Sequence, residues 1–158
     1  MSRHNLIVAL IWLALAGLIY YLVDNLMQPN KAAALGAGSE VVLQRGPDGH
    51  YRAEAYINGQ KVDVLVDTGA TGVAISSRLA DQLGLERRNA IRTSTANGTV
   101  VAYATRLQSV KLGGIEADNV AAVIAPGLDG DVLLGMSFLA RMDVRLFRGE
   151  MTIRQVEE

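Results

Sequence analysis

The amino-acid sequence predicts a small, closed all-β domain that follows a single transmembrane helix. Residues 6–23 form an uncharged apolar run, and the later sequence holds many short apolar strands separated by turns that glycine marks, with little helical spacing between them. The 158 residues suffice for one domain after the apolar run. We expect four segments: an N-terminus of residues 1–5, a membrane span of residues 6–23, a flexible linker of residues 24–40 and a β domain of residues 41–158.

The apolar run predicts a membrane anchor. Leu6 to Val23 contains 18 residues without a charge. As an α-helix this run spans about 27 Å at roughly 1.5 Å per residue, which approaches the roughly 30 Å hydrocarbon core of a bilayer. Tyr20 and Tyr21 stand at one end, where aromatic rings favour the membrane interface. A buried core helix and a cleaved signal peptide are the alternatives; a signal peptide has a shorter apolar core and an earlier cleavage site than Ala32-Ala33-Ala34 offers.

The composition excludes several classes of function. The 15 basic and 16 acidic residues balance, without the clustered basic excess of a nucleic-acid surface. The absence of cysteine excludes disulfides, thiolate catalysis and cysteine-based metal sites. His4 and His50 stand far in sequence from any suitable partner ligand. We therefore expect no nucleic-acid partner, no metal site and no cofactor.

Alternating apolar residues and turn residues place the strands of the β domain. Asn58-Gly59 is a favoured two-residue hairpin turn, and a longer hairpin turns near Asn97-Gly98. The expected strands are Val41–Leu43, Tyr51–Ile57, Lys61–Val66, Val73–Ile75, the two arms of the hairpin from Ile91 to Leu112, Ile115–Ile124, Asp131–Leu134, Val144–Phe147 and Met151–Ile153.

Two short helices complete the predicted domain. Ser76 and Ser77 can cap a helix that continues through Leu83 and ends at Gly84. Ser137 is expected to cap a brief second helix that runs through Arg141.

The tripeptide Asp67-Thr68-Gly69 directly follows an apolar strand, which suits the rigid presentation of a catalytic carboxylate. Thr68 supplies a hydroxyl that can lock the loop, and Gly69 lets other backbone approach closely. About 65 residues later Val132-Leu133-Leu134-Gly135 again ends a strand in glycine, ahead of a short helix. The sequence holds no second Asp-Thr-Gly or Asp-Ser-Gly. A reaction that needs two such carboxylates must take the other from a second copy of the chain.

With these two motifs in this order, the chain from Tyr51 to Ile153 resembles the retropepsin-like aspartic proteases, and most closely their bacterial membrane-anchored members. The resemblance implies a small closed acid-protease barrel with one or two short helices, in which Asp-Thr-Gly is the catalytic loop and the Leu-Leu-Gly strand packs beside it. The residues that carry it are Val66–Thr71, Ser77–Leu83, Asn97-Gly98 and Leu133–Leu139.

The resemblance implies a homodimeric endopeptidase in which Asp67 of each copy meets the other. Two aspartates within hydrogen-bond distance share one proton, aspartic proteases being the standard example of this effect. The ionised partner takes a proton from a bound water, which attacks the peptide carbonyl, and the protonated partner donates to the oxyanion. A non-catalytic module of the same fold, used for dimerisation or partner binding at the membrane, is the alternative.

The resemblance also implies roles for the neighbouring residues. Thr68 would hydrogen-bond across the dimer, and Gly69 would meet a backbone requirement of the loop. Thr71 stands where viral members usually carry an acidic residue that contacts substrate, so it offers a hydrogen bond without charge. The expected substrate-binding residues are Ala70, Thr71 and a mobile hairpin tip of Asn97, Gly98 and Thr99. The alternatives are a loop-capping role for Asp67 and an ordinary surface hairpin.

The charges that flank the apolar run predict its orientation. Arg3 and the terminal amine precede the run, whereas Asp24 follows it and Lys31 is the nearest base beyond. By a margin of one or two charges, the positive-inside tendency places the first residues in the cytoplasm. With the bacterial resemblance, we expect a single-pass protein of the inner membrane whose protease domain faces the periplasm and acts on proteins or peptides.

Overall fold

The structure is a computed structural model that describes residues 3–27, 40–95 and 98–156. Within those residues the domain after the first helix is mostly β with two short helices, which confirms the predicted class. The elements in chain order are α1 (Arg3–Met27), β1 (Glu40–Gln44), β2 (Tyr51–Ile57), β3 (Gln60–Val66), β4 (Val73–Ser76), α2 (Ser77–Gln82), β5 (Ala90–Thr95), β6 (Gly98–Leu112), β7 (Ile115–Ala125), β8 (Val132–Leu134), α3 (Met136–Leu139), β9 (Met142–Phe147) and β10 (Glu150–Gln155).

Six strands close into a barrel. Their order around the ring is β2-β3-β8-β4-β7-β6, and β6 returns to β2 where Ile57 lies opposite Val110. Each strand therefore has a neighbour on both sides, which removes the open edges of a flat sheet. Among the described residues β5 pairs only with β6, so the β5–β6 hairpin extends outside the ring. The prediction of a small closed β structure is confirmed.

The barrel core is built by the period-two alternation of its strands. On β3, Val62, Val64 and Val66 are buried, while the residues between them are exposed or half-buried. Phe138 of α3 is fully buried as well, so this short helix is fastened to the core directly after β8. Other large, fully buried side chains of the core are Ile57, Ile75, Leu79, Leu107, Leu112, Ile115, Ile124 and Leu134.

A second sheet of three antiparallel strands, in the order β1-β10-β9, packs on the same core. Val41 and Leu43 of β1 and Met151 and Ile153 of β10 are buried in the core cluster. The first and last strands of the domain are thereby brought side by side.

Helix α1 presents its apolar side chains to the outside. Every side chain from Leu6 to Val23 is exposed, and His4–Val23 is long and apolar enough to cross a membrane. Since the described part of the chain does not cover these side chains, α1 is not a core helix of the β domain. A signal sequence near an N-terminus has the same properties, so the retained anchor stays a proposal.

The hairpin turn at Asn58 is hydrogen-bonded to β6, the strand that closes the barrel. Asn58 and Gly59 both have a positive φ, of 49° and 83°, as a tight two-residue hairpin requires. The Asn58 side-chain oxygen accepts hydrogen bonds from the backbone N–H groups of Gln108 at 2.8 Å and Ser109 at 3.2 Å. The Asn58 N–H donates to the Ser109 carbonyl at 3.0 Å. One residue therefore joins the β2–β3 turn to β6 at the point where the ring closes.

Two substitutions of Asn58 separate the contribution of its side-chain hydrogen bonds from that of its positive φ. We expect Asn58→Gly, which keeps the positive φ but loses the side-chain bonds, to lower the free energy of unfolding by about 1–2 kcal/mol. Asn58→Ala loses the same bonds and, unlike glycine, keeps a Cβ in the left-handed region, so it should cost about 1 kcal/mol more than the glycine variant. Denaturant unfolding followed by circular dichroism measures both. A glycine variant as stable as the wild type would show that the side-chain bonds contribute nothing.

Candidate active site

Strand β3 ends at Val66 and presents Asp67 on a tight loop of residues 67–72, here named the Asp67 loop. The Asp67 N–H donates to the Leu134 carbonyl at 3.0 Å, which extends the parallel pairing of β3 with β8 by one bond. The Gly69 N–H donates to Asp67 Oδ1 at 2.8 Å, and the Ala70 N–H donates to the Asp67 carbonyl at 3.3 Å. The side chain of Asp67 is thus oriented by its own loop, and the residue remains half-exposed.

The bond from Gly69 is compatible with both interpretations of Asp67. A loop-capping aspartate would make such a bond to a nearby amide. A catalytic carboxylate also needs a fixed orientation, and this bond engages Oδ1 alone.

Gly135 lies directly beneath the Asp67 loop. A Cβ at this position would come within 2.3 Å of the Gly72 carbonyl oxygen and 2.6 Å of the Ala70 carbonyl oxygen. The next residue, Met136, donates its N–H to that Ala70 carbonyl at 2.8 Å. Glycine is required here because of the close backbone approach, since its φ of −104° is open to any residue. Residues 134–136 therefore bond to the loop at Asp67 and Ala70 and approach it closely at Gly72.

Ser137 joins three elements behind the loop. Its hydroxyl oxygen accepts a bond from the Val73 N–H at 2.9 Å and the hydroxyl donates to the Ala121 carbonyl at 2.9 Å. The prediction that Ser137 caps the second helix is wrong. Gly135 is the N-cap of α3 and makes no side-chain bond, and Ser137 lies inside the helix. Its hydroxyl links the start of β4 to β7.

The predicted cap of the first helix is confirmed. Ser76 precedes α2, and its side-chain oxygen accepts a bond from the Leu79 N–H at 3.2 Å. This bond fixes the helix that follows β4, the strand into which the Asp67 loop leads.

The structure brings the predicted residues of the loop together. Thr68, Gly69 and Thr71 are exposed, and Ala70 is half-buried, so this face is open to a ligand or a second chain. The Thr68 hydroxyl makes no hydrogen bond within the described ranges 3–27, 40–95 and 98–156.

The predicted hairpin tip belongs to a separate element. Gly98 and Thr99 are exposed at the start of β6, and Asn97 lies outside the described residues. Within residues 40–95 and 98–156, β6 from Gly98 to Val101 pairs only with β5, which shows that this part of the hairpin projects from the barrel.

An Asp-Thr-Gly loop that leaves a strand of a closed six-stranded barrel and rests on a Leu-Leu-Gly strand defines the class of retropepsin-like aspartic proteases. The model of the family described as gag-polyprotein putative aspartyl protease matches residues 53–141, more than half of the chain. The chain belongs to this family, and its fold and family support a protease-type function.

Individual relatives agree with this assignment. A crystal structure of a retropepsin-like aspartic protease from Rickettsia conorii superposes with a TM-score of 0.61 at 29% identity, covering 73% of this chain and 90% of that one. An uncharacterised protein from the cobV 5′ region of Sinorhizobium sp is 36% identical over 69% of this chain and 48% of its own length. An uncharacterised protein of Rickettsia prowazekii is 33% identical over 77% of this chain and 53% of its own. The chain spans about half the length of these curated relatives.

Alanine at Gly135 tests the support of the loop. We expect Gly135→Ala to lower the free energy of unfolding by about 2–3 kcal/mol, because its Cβ would overlap two backbone oxygens. Gly72→Ala is the matched control, since the nearest atom to its Cβ is the Ser137 hydroxyl oxygen at 4.0 Å. Thermal unfolding measures both variants. Equal stability of the two would show that the contact beneath the loop is not tight.

Proposed function

We propose that this protein is a membrane-anchored aspartic endopeptidase that hydrolyses peptide bonds with Asp67 from each of two copies. The observation that carries the proposal is the half-exposed Asp67 carboxylate, oriented by the Gly69 N–H on a loop that Leu134 and Met136 hold from below. Because the chain has one Asp-Thr-Gly, a pair of such carboxylates requires a homodimer.

The chemistry follows from placing two Asp67 carboxyls within hydrogen-bond distance across a twofold axis. Only one of them ionises readily, so the pair holds one proton between them. The ionised carboxylate accepts a proton from a water between the two, and the oxygen of that water forms a bond to the peptide carbonyl carbon. The protonated carboxyl donates to the developing oxyanion. When the carbon–nitrogen bond breaks, the carboxyl that took the proton from water passes it to the leaving amine. Because water is the nucleophile, no covalent intermediate with the enzyme arises.

Thr68 is suited to fix the distance between the two carboxyls. Its side chain is exposed beside Asp67. In the proposed dimer it donates to the loop of the partner subunit, and the same bond repeats by symmetry. Two such bonds would hold the loops in one relative position, which a reaction of this kind needs within a fraction of an ångström.

The substrate would bind as an extended strand along the face of the two Asp67 loops. Main-chain hydrogen bonds give such binding its affinity, and pockets for alternate side chains give it selectivity. Ala70 and Thr71 are the proposed contacts on the loop, and Asn97, Gly98 and Thr99 are the proposed contacts on the hairpin tip.

Helix α1 supports the proposed location. As a retained anchor of the inner membrane with its C-terminal end outward, it would place the β domain in the periplasm. Two copies confined to one membrane meet at a higher effective concentration than in free solution, so a weak association of the domains suffices.

Asparagine at Asp67 tests the role of the carboxylate. We expect Asp67→Asn to lower the cleavage rate of a mixed peptide library by at least about 100-fold, because neither the general base nor the shared proton remains. Asp63→Asn is the matched control on the same strand, since Asp63 is exposed and precedes the loop by four residues. Cleavage is followed by mass spectrometry from acidic to neutral pH. Unchanged cleavage by the Asp67 variant would refute the mechanism, and a wild type that cuts nothing would favour the partner-binding module.

Removal of residues 1–38 tests the contribution of the anchor. The truncated chain should be poorly active when dilute and regain activity as its concentration rises, because the domains must then associate in solution. Peptide cleavage and sedimentation are measured over the same concentration range. Full activity in a strict monomer would contradict the requirement for two copies.

A further inference from the structure

Strand β6 changes its neighbour on one side partway along its length. Residues 98–103 pair with β5, and residues 110–111 pair with β2 on that same side. No strand of residues 40–95 or 98–156 pairs with the intervening stretch of β6 there. The other side of β6 pairs with β7 throughout residues 103–107. The strand therefore has a short open edge at the point where the hairpin leaves the barrel.

Arg106 lies in the middle of this open edge. On one side of it the Ala104 N–H donates to the Asn89 carbonyl at 3.0 Å, and on the other the Gln108 N–H donates to the Asn58 side chain at 2.8 Å. Because alternate residues of a strand bond to the same side, the N–H and the carbonyl of Arg106 face the gap between these bonds. The open edge thus presents one main-chain donor and one main-chain acceptor.

A cleft of about 370 Å³ opens along this edge. Residues of the segment that joins α2 to β5, from Leu83 to Arg88, form its outer wall, and residues 105–108 of β6 form its inner wall. The volume lies near the lower end of the range for ligand sites. From Ala104 to Gln108 the edge is about 13 Å long, at roughly 3.3 Å per residue. The cleft therefore suits a short extended segment rather than a folded partner.

The deep side of the cleft is apolar apart from one hydroxyl. Leu107 is fully buried, and Leu83 and Leu85 pack against the same core. Thr105 also lines the cleft and is only 7% exposed. Its hydroxyl makes no hydrogen bond within the described ranges 3–27, 40–95 and 98–156. A side chain that enters the cleft would meet apolar surface and a hydroxyl open to a hydrogen bond.

The solvent side of the cleft carries the guanidinium of Arg106. Its Nη1 donates to the carbonyl and to Oδ1 of Asn119, both at 3.1 Å, which orients the group. Its other N–H groups have no partner in the part of the chain that the structure describes. The remaining charged residues of the cleft, Arg88 and Glu86, contact each other at 3.5 Å. With two arginines against one glutamate, the cleft has an excess of one positive charge.

We propose that this cleft binds an extended polypeptide segment that has an acidic side chain at its centre. Such a segment continues the ladder between β5 and β2, and like both of them it runs antiparallel to β6. Its central residue exchanges two main-chain hydrogen bonds with Arg106. Directly opposite residues share a face, so the acidic side chain lies beside the Arg106 guanidinium. The residues before and after it face the deep side of the cleft, which favours valine or threonine.

The main chain supplies the affinity of this contact, and the charge selects the segment. An exposed ion pair contributes little to binding, whereas the main-chain bonds extend an existing ladder. Charged side chains commonly protect an open strand edge from unwanted pairing. Arg106 repels a basic residue placed opposite to it and attracts an acidic one, so the same charge excludes one class of segment and admits the other.

The cleft lies close to the Asp67 loop. Thr105 is opposite Ala122 of β7, and Ala122 is opposite Val73, which directly follows the loop. Two strand spacings of about 4.8 Å place the open edge no more than roughly 10 Å from Val73. In the proposed endopeptidase one substrate chain would therefore reach both the cleft and the Asp67 carboxylate. This last consequence rests on the proposed function, whereas binding in the cleft does not.

Labelled pentapeptides test the cleft on the full chain in detergent micelles, with Asp67→Asn present to prevent cleavage. The probes are fluorescein-labelled Thr-Val-Glu-Val-Thr amide and its analogues with lysine or N-methylglutamate at the centre. By fluorescence anisotropy the lysine peptide should bind about fivefold or more weakly than the glutamate peptide, because its charge is repelled. The N-methylglutamate peptide should bind at least about tenfold more weakly, because it lacks the N–H that donates to the Arg106 carbonyl.

Charge reversal on β6 locates the binding. Arg106→Glu should reverse the order, so that the lysine peptide binds more tightly than the glutamate peptide, which a folding defect cannot produce. Lys111→Glu is the matched control, since Lys111 is an exposed base on the same strand where β2 already occupies the edge. This control should keep the order of the unsubstituted residue.

Several results would overturn the proposed cleft. They are equal binding of the glutamate and lysine peptides, undiminished binding of the N-methylglutamate peptide, reversal of the order by Lys111→Glu, and no binding of any probe at millimolar concentration. Reversal by Arg106→Glu alone, together with loss of binding on N-methylation, supports it.

Peptide cleavage separates the cleft from the proposed enzyme. In the chain that retains Asp67, joining the Thr-Val-Glu-Val-Thr segment to a cleaved peptide should lower KM and leave kcat unchanged, and Arg106→Gln should remove this gain. A wild type that cleaves nothing, while Arg106→Glu reverses the binding order, would support the cleft and refute the enzyme. Cleavage by the wild type without reversal of the order would refute the cleft alone.

Discussion

The close approach of β8 to the Asp67 loop is the constraint on which the site depends. Asp67 is held by its backbone bond to Leu134, and Ala70 is held by its bond from Met136, with Gly135 between these two contacts. Because the bonds use main-chain atoms, the path of the loop does not depend on the identity of exposed side chains. The buried Phe138 packs α3 against the core, and Met136 of α3 bonds to Ala70. The close-packed core therefore limits the movement of the loop.

The two sheets of the domain differ in how their strands are paired. Within the described residues, each strand of the barrel finds both of its neighbours in the ring, which suits a stable support. The smaller sheet ends at β9, where Leu146, which lies opposite the buried Met151, is exposed at the surface. The ring that carries Asp67 and the smaller sheet are therefore different parts of one core.

The sequence predicted what depends on local pattern and missed what depends on distant contacts. The alternation of Val62, Val64 and Val66 and the turn at Asn58-Gly59 identify their elements correctly because neighbouring residues determine them. The hydroxyl of Ser137 has the residue type of a helix cap, yet it bonds to Val73, 64 positions away, which no local pattern contains. For the same reason, two features became visible only when the strand register was known. They are the hydrogen bonds from Asn58 to β6 and the exposed Leu146 on β9.

The spacing between α1 and β1 has a consequence for what the domain can meet. Met27 ends the helix and Glu40 begins the first strand, so twelve residues join them. Fully extended, such a segment reaches roughly 40 Å. A domain anchored through α1 would sweep only a shallow layer above the lipid surface. Chains that emerge from the bilayer or lie upon it would fall within that layer, whereas freely diffusing proteins would enter it only briefly.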